Sequence, residues 1–174
     1  MEDQHHHNRD YVHDHPAIEP EVMEHGERVY KIDTTPAEAL VIHCSDPRFQ
    51  TAFRRFVTEE LGVKNYAPLV LGGSIHAFGE QTFLPKNFKV LWEQIKFVIK
   101  NRDIRRVIII NHEDCLWYRS MSGFYSRVKD PSKGRSDLGL TARHLLQDFA
   151  GITVESYWAA LEGDTVTFHR TGEE

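Results

Sequence analysis

The sequence predicts an α/β protein with a mainly parallel β-sheet flanked by helices. Five short segments with the character of strands occur between Ala39 and Phe168, and segments with apolar residues at helical spacing separate the first four. Strand and helix alternate at least three times, which is typical of right-handed crossovers in a parallel sheet. With 174 residues, 40% of them hydrophobic, the chain is long enough for one domain with a continuous core.

The first 36 residues are polar and irregular, and we expect them to form a flexible, His-rich N-terminal arm. Residues 37–174 are then predicted to form a single α/β domain. The arm carries six histidines: His5, His6, His7, His13, His15 and His25. The histidine triplet could bind a metal ion, but solvated disorder or a purification-tag remnant explains it better, because no ligand spacing is defined there. An arm that wraps around a partner subunit is a third alternative.

The first strand and helix of the domain follow directly from residue type. Ala39–Ile42 is a short apolar run typical of a buried parallel strand, and Cys44 comes just after it. Asp46 is a suitable N-cap and Pro47 suits the first helical position, so a helix should begin there and end at Gly62. Its apolar residues recur at helical spacing: Phe49, Phe53, Phe56, Val57 and Leu61.

The middle of the chain predicts two more strands with a helix between them. Tyr66–Leu71 should form the second strand, which Gly72 and Gly73 close. Apolar residues at helical spacing then predict an amphipathic helix over 88–101. Val107–Ile110 is an unbroken run of β-branched residues and the strongest strand signal in the chain.

The last third of the chain predicts a loop, a helix and two strands. Beyond Cys115 the residues are rich in Ser, Gly and Lys, and we expect a loop there. Ser136 can cap a third helix, and Thr153–Ala159 has the character of a fourth strand. A short antiparallel edge strand over Val166–Phe168 is expected after a turn at Gly163.

Cysteine and histidine side chains stand at the ends of two predicted strands. In a parallel sheet all strands end at the same edge, and ligands bind there. Cys44 follows the first strand, and His112 and Cys115 follow the third, so these side chains converge if the two strands are neighbours. Thiolate and imidazole are zinc ligands, and a catalytic zinc usually has three protein ligands and one open position. The sequence therefore predicts one Zn²⁺ in the domain 37–174.

Other interpretations of these residues stay open. Cys44 and Cys115 could be small buried residues, with His112 a loop histidine. The two cysteines could instead cycle between dithiol and disulfide, although the chain has no Cys-x-x-Cys motif. Structural crosslinking of a secreted domain is a weaker explanation, because such domains usually carry more than two cysteines.

A carboxylate and a guanidinium follow the first cysteine at short spacing. An Arg48 fork that holds Asp46 would keep the carboxylate ionised and leave one oxygen free to accept a hydrogen bond from zinc-bound water. That hydrogen bond would orient the nucleophile. In the alternative, Asp46 only caps the helix and Arg48 is a solvated surface residue.

The combination Cys44-x-Asp46-x-Arg48 followed by His112-x-x-Cys115 resembles the zinc signature of the β-class carbonic anhydrases. The resemblance spans most of the predicted domain. It implies a β-carbonic anhydrase-like fold, zinc ligands at Cys44, His112 and Cys115, and a catalytic dyad of Asp46 and Arg48. It also implies carbon dioxide and bicarbonate as substrates, zinc-bound hydroxide as nucleophile, and a homodimer or higher homo-oligomer.

The sequence departs from this signature at two places. Leu116, Trp117 and Tyr118 follow the second zinc cysteine, where family members usually have Gly, and Val70-Leu71 stands where Arg-Asn is usual. Because these residues belong to the expected cleft, two alternatives to carbon dioxide hydration stay open. One is a hydrolase of another small molecule, such as carbon disulfide. The other is a non-catalytic binding or regulatory protein in which Trp117 and Tyr118 fill the cleft.

Charge and composition argue against several other classes of function. The formal net charge is −5 and the basic residues are dispersed, so we expect no nucleic acid partner. No apolar stretch approaches the length of a membrane helix, and the amino terminus lacks the apolar centre of a signal peptide. We therefore expect no membrane partner and a cytoplasmic location.

Overall fold

The computed structural model describes the residues 21–22, 28–79, 85–125 and 133–172, with side chains except at 21–22, 79 and 121–125. The chain divides into two units, Met1–Thr34 and Thr35–Glu174. In the first unit, the two-residue strands β1 (Glu21–Val22) and β2 (Arg28–Val29) pair antiparallel. The six histidines of the predicted arm lie outside the described residues, and the arm stays a prediction.

The second unit is built on a five-stranded sheet. Its strands are β3 (Ala39–Cys44), β4 (Tyr66–Leu71), β5 (Arg106–His112), β6 (Thr153–Glu162) and β7 (Thr165–Thr171). They lie in the order β4-β3-β5-β6-β7; the first four run parallel, and β7 pairs antiparallel with β6. The predicted α/β fold, with a mainly parallel sheet and one antiparallel edge strand, is confirmed.

The two central strands are buried on both faces, which explains their continuous apolar runs. Every residue of β3 is buried, and so is every residue of β5 after Arg106. Alternate side chains point to opposite faces. Leu40 and Ile109 therefore belong to one core cluster, and Val41 and Ile108 to the other.

Helices cover both faces of the sheet. On one face, a 3-10 turn at Pro47–Phe49 leads into helix α1 (Gln50–Arg55) and a π turn at Phe56–Glu60. Gly62, with φ 69°, follows this helical segment, as the sequence predicts. On the other face lie α2 (His76–Gly79), α3 (Pro85–Asn101) and α5 (Lys133–Asp148). No helix in the described ranges has the length and apolar character that crossing a membrane requires.

Two predictions on the helices were wrong. A helix, α4 (Leu116–Tyr125), occupies the segment directly after Cys115, where we expected a loop. Its residues Trp117 and Tyr118 contact neighbouring elements, and such packing outweighs a low local helix propensity. Helix α5 begins at Lys133, and the Ser136 hydroxyl donates to the Lys133 carbonyl inside the helix, so Ser136 is not the N-cap.

Candidate metal centre

The neighbouring strands β3 and β5 bring the three predicted ligands together. Cys44 is the last residue of β3 and His112 the last of β5, while Cys115 lies in the turn before α4. The two strands pair in register, with Ile42 beside Ile109. One ligand atom from each of the three side chains lies within 4.8 Å of the others, and all three residues are buried. The predicted convergence is confirmed, and this group could hold a metal ion.

The two sulfur atoms are close enough to share a proton. Cys44 Sγ and Cys115 Sγ lie 3.8 Å apart. The hydrogen bond with Cys115 lowers the pKa of the Cys44 thiol, and the same contact raises the pKa of Cys115. Backbone N–H groups of Asp46 and Gly73 also donate to Cys44 and favour its thiolate. Metal binding requires deprotonated thiols, and this environment favours the thiolate of Cys44.

The imidazole of His112 is oriented with one nitrogen free. Its Nδ1 lies 2.7 Å from the Glu113 carbonyl oxygen, which has no proton, so Nδ1 carries the proton and donates. Within the described part of the chain, the buried Nε2 has no hydrogen-bond partner. The ring packs against Phe49, with 4.1 Å between ring centroids. A buried imidazole nitrogen with a free lone pair beside two thiols is suited to bind a metal ion.

Arg48 holds Asp46, and Asp46 also caps the helical turn. The Asp46 carboxylate accepts from the Arg48 backbone N–H at 3.0 Å. Arg48 Nη2 donates to Asp46 Oδ2 at 2.8 Å, and Arg48 Nε donates to Oδ1 at 3.1 Å. These hydrogen bonds lower the pKa of Asp46 below its ordinary value. Asp46 therefore both caps the turn and pairs with Arg48, so the alternative in which it only caps the helix is wrong. The Arg48 side chain is nevertheless 53% exposed.

A second carboxylate, Asp114, contacts Arg48 and was missed in the sequence. Arg48 Nη1 donates to Asp114 Oδ2 at 3.2 Å, and Arg119 Nη1 donates to Oδ1 at 2.6 Å. Asp114 has φ 57°, in the left-handed region that few residues other than glycine adopt. The one signal in the sequence that could have pointed to Asp114 is its residue type, because Asp tolerates the left-handed conformation and lies here in the short turn between His112 and Cys115.

A cleft of about 600 Å³ opens beside this group. Its lining residues are Cys44, Ser45, Asp46, Pro47, Arg48, Gly72, Gly73, Asp114, Cys115, Leu116, Trp117, Arg119 and Ser120. Trp117 packs on Gly73, and its ring centroid lies 4.1 Å from that of His76. Tyr118 is not part of the lining, because its hydroxyl donates to Asp137 at 2.9 Å. Trp117 therefore forms part of one wall of the cleft, and Tyr118 does not fill it.

Three residues are candidates, by type alone, to carry a proton away from the site. Burial lowers the pKa of His43, and it lowers the pKa of His76 to about 4. Burial and the contact with Asp137 raise the pKa of Tyr118 well above its ordinary value. Burial therefore disfavours the protonated imidazoles of His43 and His76 and the ionised phenol of Tyr118.

Chains of similar fold among solved structures are β-carbonic anhydrases. Isoform I from the protozoan Trichomonas vaginalis is 14% identical, with 83% of this chain and 89% of that chain covered and a TM-score of 0.46. A tetrameric enzyme from the ascomycete Sordaria macrospora is 12% identical, with 79% and 84% covered and a TM-score of 0.47. CafA from Aspergillus fumigatus is 14% identical, with 80% and 78% covered and a TM-score of 0.44.

No protein-family model matches the chain, and neither does any curated protein. The chain is thus similar in structure to β-carbonic anhydrases at low sequence identity. Its function is inferred from its own residues.

Proposed function

We propose that this chain is a zinc enzyme that reversibly hydrates carbon dioxide to bicarbonate. Cys44, His112 and Cys115 are the proposed zinc ligands, and Asp46 and Arg48 are the proposed catalytic dyad. The observation that carries the proposal is the buried group of two thiols and one free imidazole nitrogen at the wall of an open cleft.

The geometry of the sulfur atoms supports zinc as the metal. With Zn–S bonds of about 2.3 Å and tetrahedral angles, two thiolate ligands lie about 3.8 Å apart. The separation between Cys44 Sγ and Cys115 Sγ is 3.8 Å. Three protein ligands leave the fourth tetrahedral position for water or substrate, as in catalytic rather than structural zinc sites.

The residues of the dyad have separate roles in this proposal. Bound zinc would supply the Lewis acidity that makes water a nucleophile near neutral pH. The Asp46 carboxylate would accept a hydrogen bond from the attacking water and so orient its lone pair toward the carbon of carbon dioxide. Arg48 keeps Asp46 ionised, because the positive guanidinium disfavours protonation of the carboxylate. Two thiolate ligands offset the charge of the metal, so activity should rise on the basic side of neutrality.

Stopped-flow measurement of carbon dioxide hydration by the zinc-loaded protein, from neutral to mildly basic pH, tests this proposal. We expect turnover that rises with pH. Asp46→Asn should lower kcat by about 100-fold without loss of zinc, since it removes a proton acceptor. Asp164→Asn, at an exposed position in the β6–β7 turn, is the matched control and should leave kcat unchanged. No turnover at full zinc occupancy would contradict the proposal and favour a hydrolase of another small molecule or a non-catalytic zinc protein.

We also propose that the chain forms a homodimer or higher homo-oligomer in the cytoplasm. The support is the resemblance of its cysteine and histidine motif to that of the β-class enzymes. Sedimentation velocity of the zinc-loaded full chain tests the assembly, and a monomer at micromolar concentration would contradict it.

A further inference from the structure

We propose that Asp114 is a positioning residue of this site, which holds the Arg48 guanidinium where Arg48 binds Asp46. The inference rests on the proposed function, because Asp46 takes part in a reaction only if the site is catalytic. The Asp114 side chain accepts hydrogen bonds from Arg48 and Arg119, and its carbonyl oxygen also accepts from Arg48, so Asp114 acts on Asp46 through Arg48.

The guanidinium of Arg48 is bound from two sides. Its Nε and Nη2 face the Asp46 carboxylate at 3.1 and 2.8 Å. Its Nη1 faces Asp114 Oδ2 at 3.2 Å, and Nη2 also reaches the Asp114 carbonyl oxygen at 3.3 Å. All three nitrogens of the guanidinium therefore donate to one of the two residues, and a rotation about the last bonds of the side chain would break contacts with both.

The exposure of the Arg48 side chain explains why a second carboxylate, Asp114, is needed to hold it. The Arg48 side chain is 53% exposed, whereas the Asp46 side chain is 11% exposed. A long, exposed side chain in a single ion pair loses rotamer freedom on pairing and competes with water, so one pair holds it only weakly. A second anion at the other edge of the guanidinium lowers the number of alternative positions that Arg48 can adopt.

Asp114 is itself held in place. Its Oδ1 accepts from Arg119 Nη1 at 2.6 Å, which ties the turn to helix α4. Its backbone lies in the left-handed region, between the proposed ligands His112 and Cys115. The side-chain direction of Asp114 is therefore set by the same turn that delivers both ligands, so the position of Arg48 is coupled to the position of the site.

A charge-removing variant with a matched control tests the inference. Asp114→Asn keeps a residue that tolerates the left-handed conformation but removes the negative charge. Asp103→Asn makes the same change at φ 47°, where Asp103 pairs with Arg105 at 2.7 Å outside the cleft lining. Solvent exchange of the Arg48 Nε–H, measured by nitrogen-15 NMR on the zinc-loaded protein, should be about fivefold faster in Asp114→Asn, the size typical of a partly exposed ion pair. It should be unchanged in Asp103→Asn.

A double-mutant cycle separates positioning from a general structural effect. Asp114→Asn should lower kcat for carbon dioxide hydration about fivefold in the wild-type background and should add nothing in the Arg48→Gln background. Asp114→Gly also removes the carboxylate, and it relaxes the left-handed backbone. It should give the same exchange rate and the same kcat as Asp114→Asn, and it replaces that variant if Asp114→Asn folds poorly.

Unchanged exchange of the Arg48 Nε–H in Asp114→Asn would overturn the inference, and so would equal losses of kcat in both backgrounds. A zinc-loaded wild-type protein without turnover would contradict the proposed function instead. In that case the exchange measurement still decides whether Asp114 positions Arg48, so the two failures are distinguishable.

Discussion

Polar groups at the two ends of the parallel strands differ in whether they have hydrogen-bond partners. At the amino end, Glu38 Oε1 accepts from the backbone N–H groups of Lys64 and Asn65, both at 3.1 Å. Arg106 at the start of β5 donates to Glu155 near the start of β6 at 2.6 Å. Each of these charged groups finds its partner within the fold, so this end of the sheet needs no ligand to satisfy it.

At the carboxyl end the polar groups near the cleft are incomplete. The buried Nε2 of His112 has no hydrogen-bond partner in the described part of the chain. The Sγ atoms of Cys44 and Cys115 lie beside it, 3.8 Å from each other. Unsatisfied buried groups cost stability, and a protein keeps them where a ligand completes them. The amino end of the sheet is therefore satisfied by contacts within the fold, whereas the carboxyl end carries a buried group that could hold a metal ion.

Loss of one proposed zinc ligand at the carboxyl end should have the largest effect of the changes considered. Cys44→Ser removes a thiolate, so zinc affinity should fall by at least about 100-fold. Competition with a chromophoric chelator measures it. Glu155→Gln at the amino end is the control and should keep wild-type affinity. Equal affinity of Cys44→Ser and the wild type would show that the carboxyl end does not bind zinc through Cys44.

Packing at the carboxyl end should be the next most sensitive feature. Gly73 has φ +74°, and a Cβ there would lie 2.5 Å from Trp117 Cγ. Gly73→Ala should therefore lower the free energy of unfolding by about 2–4 kcal/mol, from overpacking and left-handed strain together. Gly163→Ala is the matched control, because Gly163 has φ +66° but nothing within 4 Å of an added Cβ. In urea unfolding, Gly163→Ala should lower the free energy of unfolding by only about 1 kcal/mol. Equal losses for the two variants would show that contact with Trp117 does not destabilise Gly73→Ala.

The smallest expected effect concerns the amino end. Burial raises the pKa of Glu155, but hydrogen bonds from Arg106 and Tyr157 lower it more, so the net pKa lies below the ordinary value. A depressed carboxyl pKa stabilises the fold above the unfolded pKa, and this contribution is lost as the pH falls below it. Glu155→Gln should lower the free energy of unfolding by about 1 kcal/mol at pH 7 and by less at pH 3.

Urea titrations at the two pH values measure this difference. Glu93→Gln, which breaks an exposed pair with Lys96 on α3, should cost less than about 0.5 kcal/mol and serves as the control. A loss of stability by Glu155→Gln that is the same at both pH values would show that its charge does not contribute.

The central strands could be predicted from the sequence because both faces of the sheet are covered. Successive residues of β3 over Ala39–Ile42 and of β5 over Val107–Ile110 are then apolar, and this pattern can be recognised in the sequence alone. Helix α4 could not be predicted in the same way. Ser120 and Gly123 are typical of loops, and contacts of Trp117 with His76 and of Tyr118 with Asp137 come from distant parts of the chain.

In the candidate metal centre too, topology could be predicted from the sequence, whereas side-chain contacts could not. Cys44, His112 and Cys115 could be predicted to converge because strand ends are located by topology. The contact of Asp114 with Arg48 joins residues 66 positions apart through side chains. It depends on rotamers and on one left-handed residue, and neither leaves a periodic pattern in the sequence.

The spacing of the three proposed ligands also sets an order of events during folding. His112 and Cys115 are three residues apart, whereas Cys44 is 71 residues from Cys115. Closing a loop of that length costs entropy that local contacts do not offset, so pairing of β3 with β5 comes late relative to helix formation. A chain that has not yet paired these strands offers an ion only two ligands. Tight binding of a metal ion by the three proposed ligands would therefore report that β3 and β5 have paired.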